Sequence, residues 1–129
     1  MRVAHLVWIV AVSAVAVSLC GCSSGGVDFA QGEKMTGGDA EAGKHAIVIH
    51  DCSSCHVIPG IEGDVNVQGP PLSRWATRKT IAKEWPNTPA NLEDWIRHSE
   101  ELRPGTTMKL MSISEKDARD IAAYLFSLN

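Results

Sequence analysis

Apolar residues run almost without interruption from Leu6 to Leu19, and beyond Leu19-Cys20-Gly21-Cys22 they thin out and recur at helical spacing. From Ser23 to Gly38 the chain reads SSGGVDFAQGEKMTGG, poor in apolar residues and rich in glycine, which predicts a flexible tether of about 20 to 25 Å mean span. Asp39 is a good N-cap, and Ala42, Ala46, Ile47 with Ile49 or His50 give a first helix an incomplete apolar stripe before Asp51. The next stretch, Val57 to Leu72, contains Pro59, Gly60, Gly63, Gly69, Pro70 and Pro71 and predicts a long loop. Residues 74–85 carry a weak helical pattern that ends at Pro86. Thr88 followed by Pro89 predicts a helix to about Ser99 with Leu92, Trp95 and Ile96 on its inner face. After a loop marked by Pro104-Gly105, Ser114 and Asp117 form a capping-box-like start to a last helix through Leu128, its inner stripe being Ala118, Ile121, Ala122, Leu125 and Leu128. No strand pattern and no internal repeat is evident, so the expected fold class is all-α.

Export changes how much of the chain is left to fold. Residues 1–21 have the layout of a signal peptide, and the ending resembles a bacterial lipobox, with Leu19 three positions and Gly21 one position before Cys22. Cys22 is then the lipid-bearing first residue. The alternative is an uncleaved apolar anchor, because residues 3–20 almost reach the length that spans a bilayer. Both predict an exported, membrane-anchored protein facing the periplasm or extracytoplasmic space, organised as signal 1–21, tether 22–38 and one small domain, 39–129. Without Arg2 the 12 Lys and Arg become 11 against 15 Asp and Glu, a formal charge of 11 − 15 = −4, which argues against a nucleic-acid partner. A domain this small, in a chain of only 5% aromatic residues, has little core of its own, and a flat apolar cofactor would supply its centre.

The chemistry concentrates at Cys52-Ser53-Ser54-Cys55-His56. Two thiols three residues apart, followed directly by a histidine, are what covalent attachment of one haem c requires: one turn of backbone aims both sulfurs at the vinyl groups and the imidazole reaches the iron. A redox-active CxxC would want a βαβ context, and a zinc site would want two more ligands, for which His45, His50 and His98 have no paired spacing. The second iron ligand separates a carrier from an open-faced haem. Met108, in Pro104-Gly105-Thr106-Thr107-Met108, sits in a loop that could lay a thioether across the haem. Met111 is the alternative, and Met35 falls in the tether. A soft sulfur ligand favours ferrous iron and raises the potential.

With these residues in view, the chain from Gly38 to Asn129 resembles a class I cytochrome c. The resemblance rests on CSSCH, then GPPL (Gly69 to Leu72), PGTTM, and a terminal helix reading DIAAYL (Asp120 to Leu125). It implies three main helices and shorter ones around one haem, with His56 and Met108 as metal ligands. It further implies that the Pro70 carbonyl orients His56, that Trp95 lines the pocket, and that Thr106 and Arg78 lie near the propionates. Gly43 would admit the Tyr124 ring where first and last helices cross. No ring of lysines is present, so tethering and short apolar contacts should outweigh electrostatic docking. The segments CHVIPG, GPPL and NTPANLEDWI also resemble small membrane-associated bacterial cytochromes that accompany respiratory oxidases. The expected role is single-electron transfer from a quinol-oxidising complex or dehydrogenase to a terminal oxidase, without substrate chemistry. The rivals are a ligand-binding or catalytic haem domain with labile methionine ligation, and a fixed haem subunit of a larger oxidase or dehydrogenase complex.

Overall fold

The computed structural model describes residues 26–63, 68–108 and 112–129. The export signal, Cys22 and Met111 lie outside them. Four helices, α1 (Phe29–Thr36), α2 (Ala40–Ile49), α3 (Pro89–Leu102) and α4 (Glu115–Phe126), enclose one core. No helix among the described residues is long and apolar enough to cross a membrane.

Three helix starts follow from local chemistry. Asp39, Thr88 and Ser114 each place a side-chain oxygen on an otherwise unpaired N–H of the first turn, from Ala42, Asn91 and Asp117 respectively, and Pro89 fills a position where no N–H is needed. Their inner faces meet in a cluster that includes Ile47, Leu92, Ile96, Ile121, Leu125 and Phe126, each buried. Each such side chain contributes about 1.5–3 kcal/mol of apolar burial.

The dominant packing is α2 across α4. A methyl group at Gly43 would lie 1.9 Å from the Asp120 carbonyl oxygen and 2.4 Å from its carbon, so the two backbones touch where any side chain would stand. The glycine therefore admits the backbone of α4. One turn further along α4 the Tyr124 ring packs on Phe29, with centroids 5.8 Å apart, and its hydroxyl donates to the Pro59 carbonyl at 2.6 Å.

Two segments differ from the sequence-based expectation. The stretch expected to be a flexible tether contains α1: Asp28 caps it by accepting from Gln31 N, Gly37 ends it in a left-handed conformation, and Gly32 lies against the Ala123 carbonyl of α4. Glycine here serves close packing and chain reversal, which composition alone counts as flexibility. Residues 74–85, expected to be weakly helical, form one 3-10 turn (Trp75–Thr77) and then a short antiparallel hairpin, β1 (Thr80–Ile81) with β2 (Trp85–Pro86). Its turn places Ala82 and Lys83 at φ 49° and 67°. Such a turn normally advertises itself by Asn or Gly, and without them it left no sequence signal. Helix α3 also runs past Ser99 to Leu102 through a kink at His98.

If the α2–α4 contact depends on a bare backbone at Gly43, Gly43→Ala should destabilise the domain by about 1–3 kcal/mol, as overpacked sites do. Thermal unfolding of the haem-loaded protein should show a midpoint several degrees lower. An unchanged midpoint would mean that the helices separate without cost.

Candidate haem-binding site

Helix α2 ends at Ile49, and His50 caps it. Asp51 then turns the chain with φ 53°, and a 3-10 turn over Cys52–Ser54 delivers both sulfurs and the histidine. His50 Nε2 lies 3.3 Å from Asp117 Oδ2 in the first turn of α4, which ties the end of α2 to the neighbouring helix just before the motif. Cys52 and Cys55 are both half-buried and unpaired with each other. Burial, with help from the Asp51 carboxylate, pushes the Cys52 thiol up to about 11. As a free thiol it stays protonated at neutral pH, and conversion to a thioether removes that group from titration.

His56 is oriented by one bond. Its Nδ1 lies 2.8 Å from the Pro70 carbonyl, which can only accept, so Nδ1 carries the proton and Nε2 keeps its lone pair for a metal. The loop that supplies Pro70 is itself pinned to the motif: Gly69 N donates to the Cys55 carbonyl at 2.8 Å and Leu72 N to the Val57 carbonyl at 2.8 Å. The role inferred for Pro70 from sequence thus has its geometry in the fold.

Met108 is half-buried, and its backbone is held from two sides. The buried Ser99 hydroxyl of α3 donates to its carbonyl at 3.2 Å, and its N–H reaches Thr106 Oγ1 at 3.4 Å. Thr106 therefore shapes the methionine loop directly. Trp95 is half-buried on α3 and stacks on Trp85, with centroids 5.3 Å apart and planes at 37°. Trp85 escaped the sequence analysis because it lies in the hairpin that left no signal.

Arg78 stands over the Trp75 ring, 5.0 Å from its centroid, and donates to the carbonyls of Pro71 and Ser73. Trp75 is buried, yet its Nε1–H has no partner. Asn87 was also missed: its amide donates to the carbonyls of Trp75 and Arg78, both at 3.1 Å, and so clamps this corner. An orphan buried donor beside a guanidinium is a place for an anionic oxygen, and haem carries two carboxylates. The chain therefore fits haem at three points: sulfurs for attachment, an imidazole with a free Nε2, and the unsatisfied Trp75 Nε1–H beside the Arg78 guanidinium for a propionate.

The sequence model of the cytochrome c family matches residues 40–129. The chain belongs to the cytochrome c family. Its cofactor is haem c, attached through Cys52 and Cys55, and family membership carries with it haem-based electron transfer. Domains of this family work outside the cytoplasm. The chain is also similar to cytochrome c oxidase subunit 2 of Alkalihalophilus pseudofirmus, at 32% identity over 100 residues, which is 77% of this chain and 28% of that protein. The chain thus spans little more than a quarter of that relative. The family match begins at the first residue of α2.

Tyr124 gives an optical handle on this packing, because it is the only tyrosine in the chain. Burial, and secondarily the Glu41 carboxylate, raise its pKa above the ordinary value near 10. Since the folded value is the higher one, the contribution of the neutral phenol to stability is complete below about pH 10 and is lost as pH climbs through the folded value. The phenolate difference absorbance should therefore appear only at a pH above 10. A normal midpoint would place the hydroxyl in solvent and break its link to Pro59.

Proposed function

We propose that this cytochrome is a single-electron carrier anchored at the outer face of the cytoplasmic membrane, with His56 and Met108 as the two axial ligands of its haem iron. The observation that carries the proposal is the 2.8 Å bond from His56 Nδ1 to Pro70, since it leaves one ring nitrogen aimed by the loop and free for iron. The bound haem would supply one-electron exchange between ferric and ferrous iron, and everything else asked of the chain is positioning. His56 is held in one tautomer. Met108 is held on α3 through Ser99, and its soft sulfur favours the reduced state. With His56 and Met108 both holding the iron, a bound haem would leave substrate no place there and would exchange electrons with a partner through its exposed edge.

The carrier's acceptor is a membrane-associated oxidase and its donor a quinol-oxidising complex or dehydrogenase, and two further features support the acceptor. One is the similarity to an oxidase subunit. The other is the surface around the motif, where Val48, Ile49 and Val57 flank CSSCH and are all exposed, Ile49 by 77%. An apolar rim of that kind favours short-range contact. The net charge of −3 offers no strong basic field for steering. A second reading, that the domain is a fixed haem subunit of a larger complex, draws on the same relative. Recovery of the chain with oxidase subunits after mild detergent extraction would favour it over a free carrier.

The ligand assignment is tested by visible spectroscopy of the exported protein. The wild type should be low-spin in both oxidation states and should bind carbon monoxide slowly when reduced. Met108→Ala should lose the methionine-to-iron charge-transfer band and bind carbon monoxide rapidly. Retention of the band in Met108→Ala with its loss in Met111→Ala would move the ligand to Met111, and rapid carbon monoxide binding by the wild type would favour a ligand-binding haem.

A further inference from the structure

We propose that α1 is a strut that holds the haem domain against the bilayer by one end only, so that the haem-bearing motif is presented at a fixed height. The proposal rests on the membrane attachment put forward above, through Cys22 or the apolar run before it. If the whole of residues 22–38 were flexible, the contour length to Asp39 would be about 60 Å, enough to reach round a domain some 30 Å across and turn any face to the membrane. The docked helix removes that freedom. Only Ser23, Ser24 and Gly25 separate Cys22 from Gly26, a fully stretched reach of about 14 Å. That is about half the width of the domain, so the end at which Gly26 enters must face the lipid.

The seam that fixes this end is continuous. Val27 pairs with Leu128, Asp28 N donates to the Ser127 carbonyl at 2.8 Å, and Asn129 N reaches the Gly26 carbonyl at 3.4 Å. Farther along, a methyl group at Gly32 would lie 1.9 Å from the Ala123 carbonyl oxygen, so the helix is seated backbone to backbone on α4. Tyr124 then joins α1 to the haem-binding segment, with its ring on Phe29 and its hydroxyl on Pro59, three residues beyond His56. From the membrane attachment to CSSCH the path therefore passes through packed elements after one short link.

The test uses the full-length, haem-loaded chain from a host that processes its N-terminus, reconstituted in vesicles of phosphatidylcholine and phosphatidylglycerol containing a nickel-chelating headgroup lipid. Spin labels are placed singly at Ala30→Cys, in the first turn of α1, and at Glu115→Cys, at the far end of α4, and the haem is kept ferrous and diamagnetic. Nickel should relax the Ala30 label several-fold more than the Glu115 label. Insertion of about 12 Gly and Ser residues between Gly25 and Gly26 should abolish that difference and leave the visible spectrum and melting midpoint unchanged. Gly32→Leu should abolish it by undocking α1, and the insertion serves where that variant does not fold. Equal relaxation of the two labels in the vesicle-bound wild type, or a difference that survives the insertion, overturns the strut. Failure of the wild type to sediment with the vesicles overturns the attachment itself.

Discussion

The contact of the α2 backbone with the α4 backbone at Gly43 is the constraint on which the rest of this molecule depends. Helix α2 exists to deliver CSSCH, and it can do so with accuracy only if its own position is set. An approach this close, with the glycine Cβ position 1.9 Å from the Asp120 oxygen, leaves the helices one way to cross. The cross is then tied at its edges. Asp39 N donates to Asp120 Oδ1 at 2.9 Å, and His50 meets Asp117 at the other end of α2. Asp120 is buried with this bond and its contact to Lys116.

Around that frame the haem-binding loops are hung by single, specific hydrogen bonds and little regular structure. Pro70 holds the imidazole, Ser99 and Thr106 hold the methionine segment, and Asn87 holds the turn carrying Trp75 and Arg78. Each of these bonds is worth about 1 kcal/mol in stability; the first sets the direction of the His56 ring and the others fix the backbone of the segments that carry Met108, Trp75 and Arg78. An electron carrier changes charge without changing substrate, so rigid positioning of its ligands is the main service the chain can perform. The loops obtain that rigidity from α3 and α4, where the apolar core lies.

The same economy of attachment governs the surface. With few basic residues grouped for steering, encounter with a partner depends on where the domain is held and which face it offers. Exposed Val48, Ile49 and Val57 lie beside the haem-bearing motif. Helix α1 and Tyr124 couple that motif to the N-terminal end. An apolar rim of this kind favours short-range contact over long-range electrostatic guidance.

The helix starts were legible because capping is local: Asp39, Thr88-Pro89 and Ser114 declare themselves through chemistry within three residues. So was the cofactor, since attachment to Cys52 and Cys55 is a matter of spacing within a single turn. Less could be read where a residue acts on something distant in the chain. Gly32 reads as a flexible position within a glycine-rich stretch, and only the passage of α4 beside it makes it a packing site. Ala82 and Lys83 enter left-handed conformations with nothing in their identity to announce it, so the hairpin, Trp85 and the clamp at Asn87 went unread. The sequence by itself determined the haem attachment, the helical class and the approximate ends of α2, α3 and α4, because periodicity, caps and ligand spacing act over a few residues. Only the tertiary structure decided which backbones touch, that α1 is docked, and which carbonyl each donor meets, because those depend on segments brought together from opposite ends of the chain.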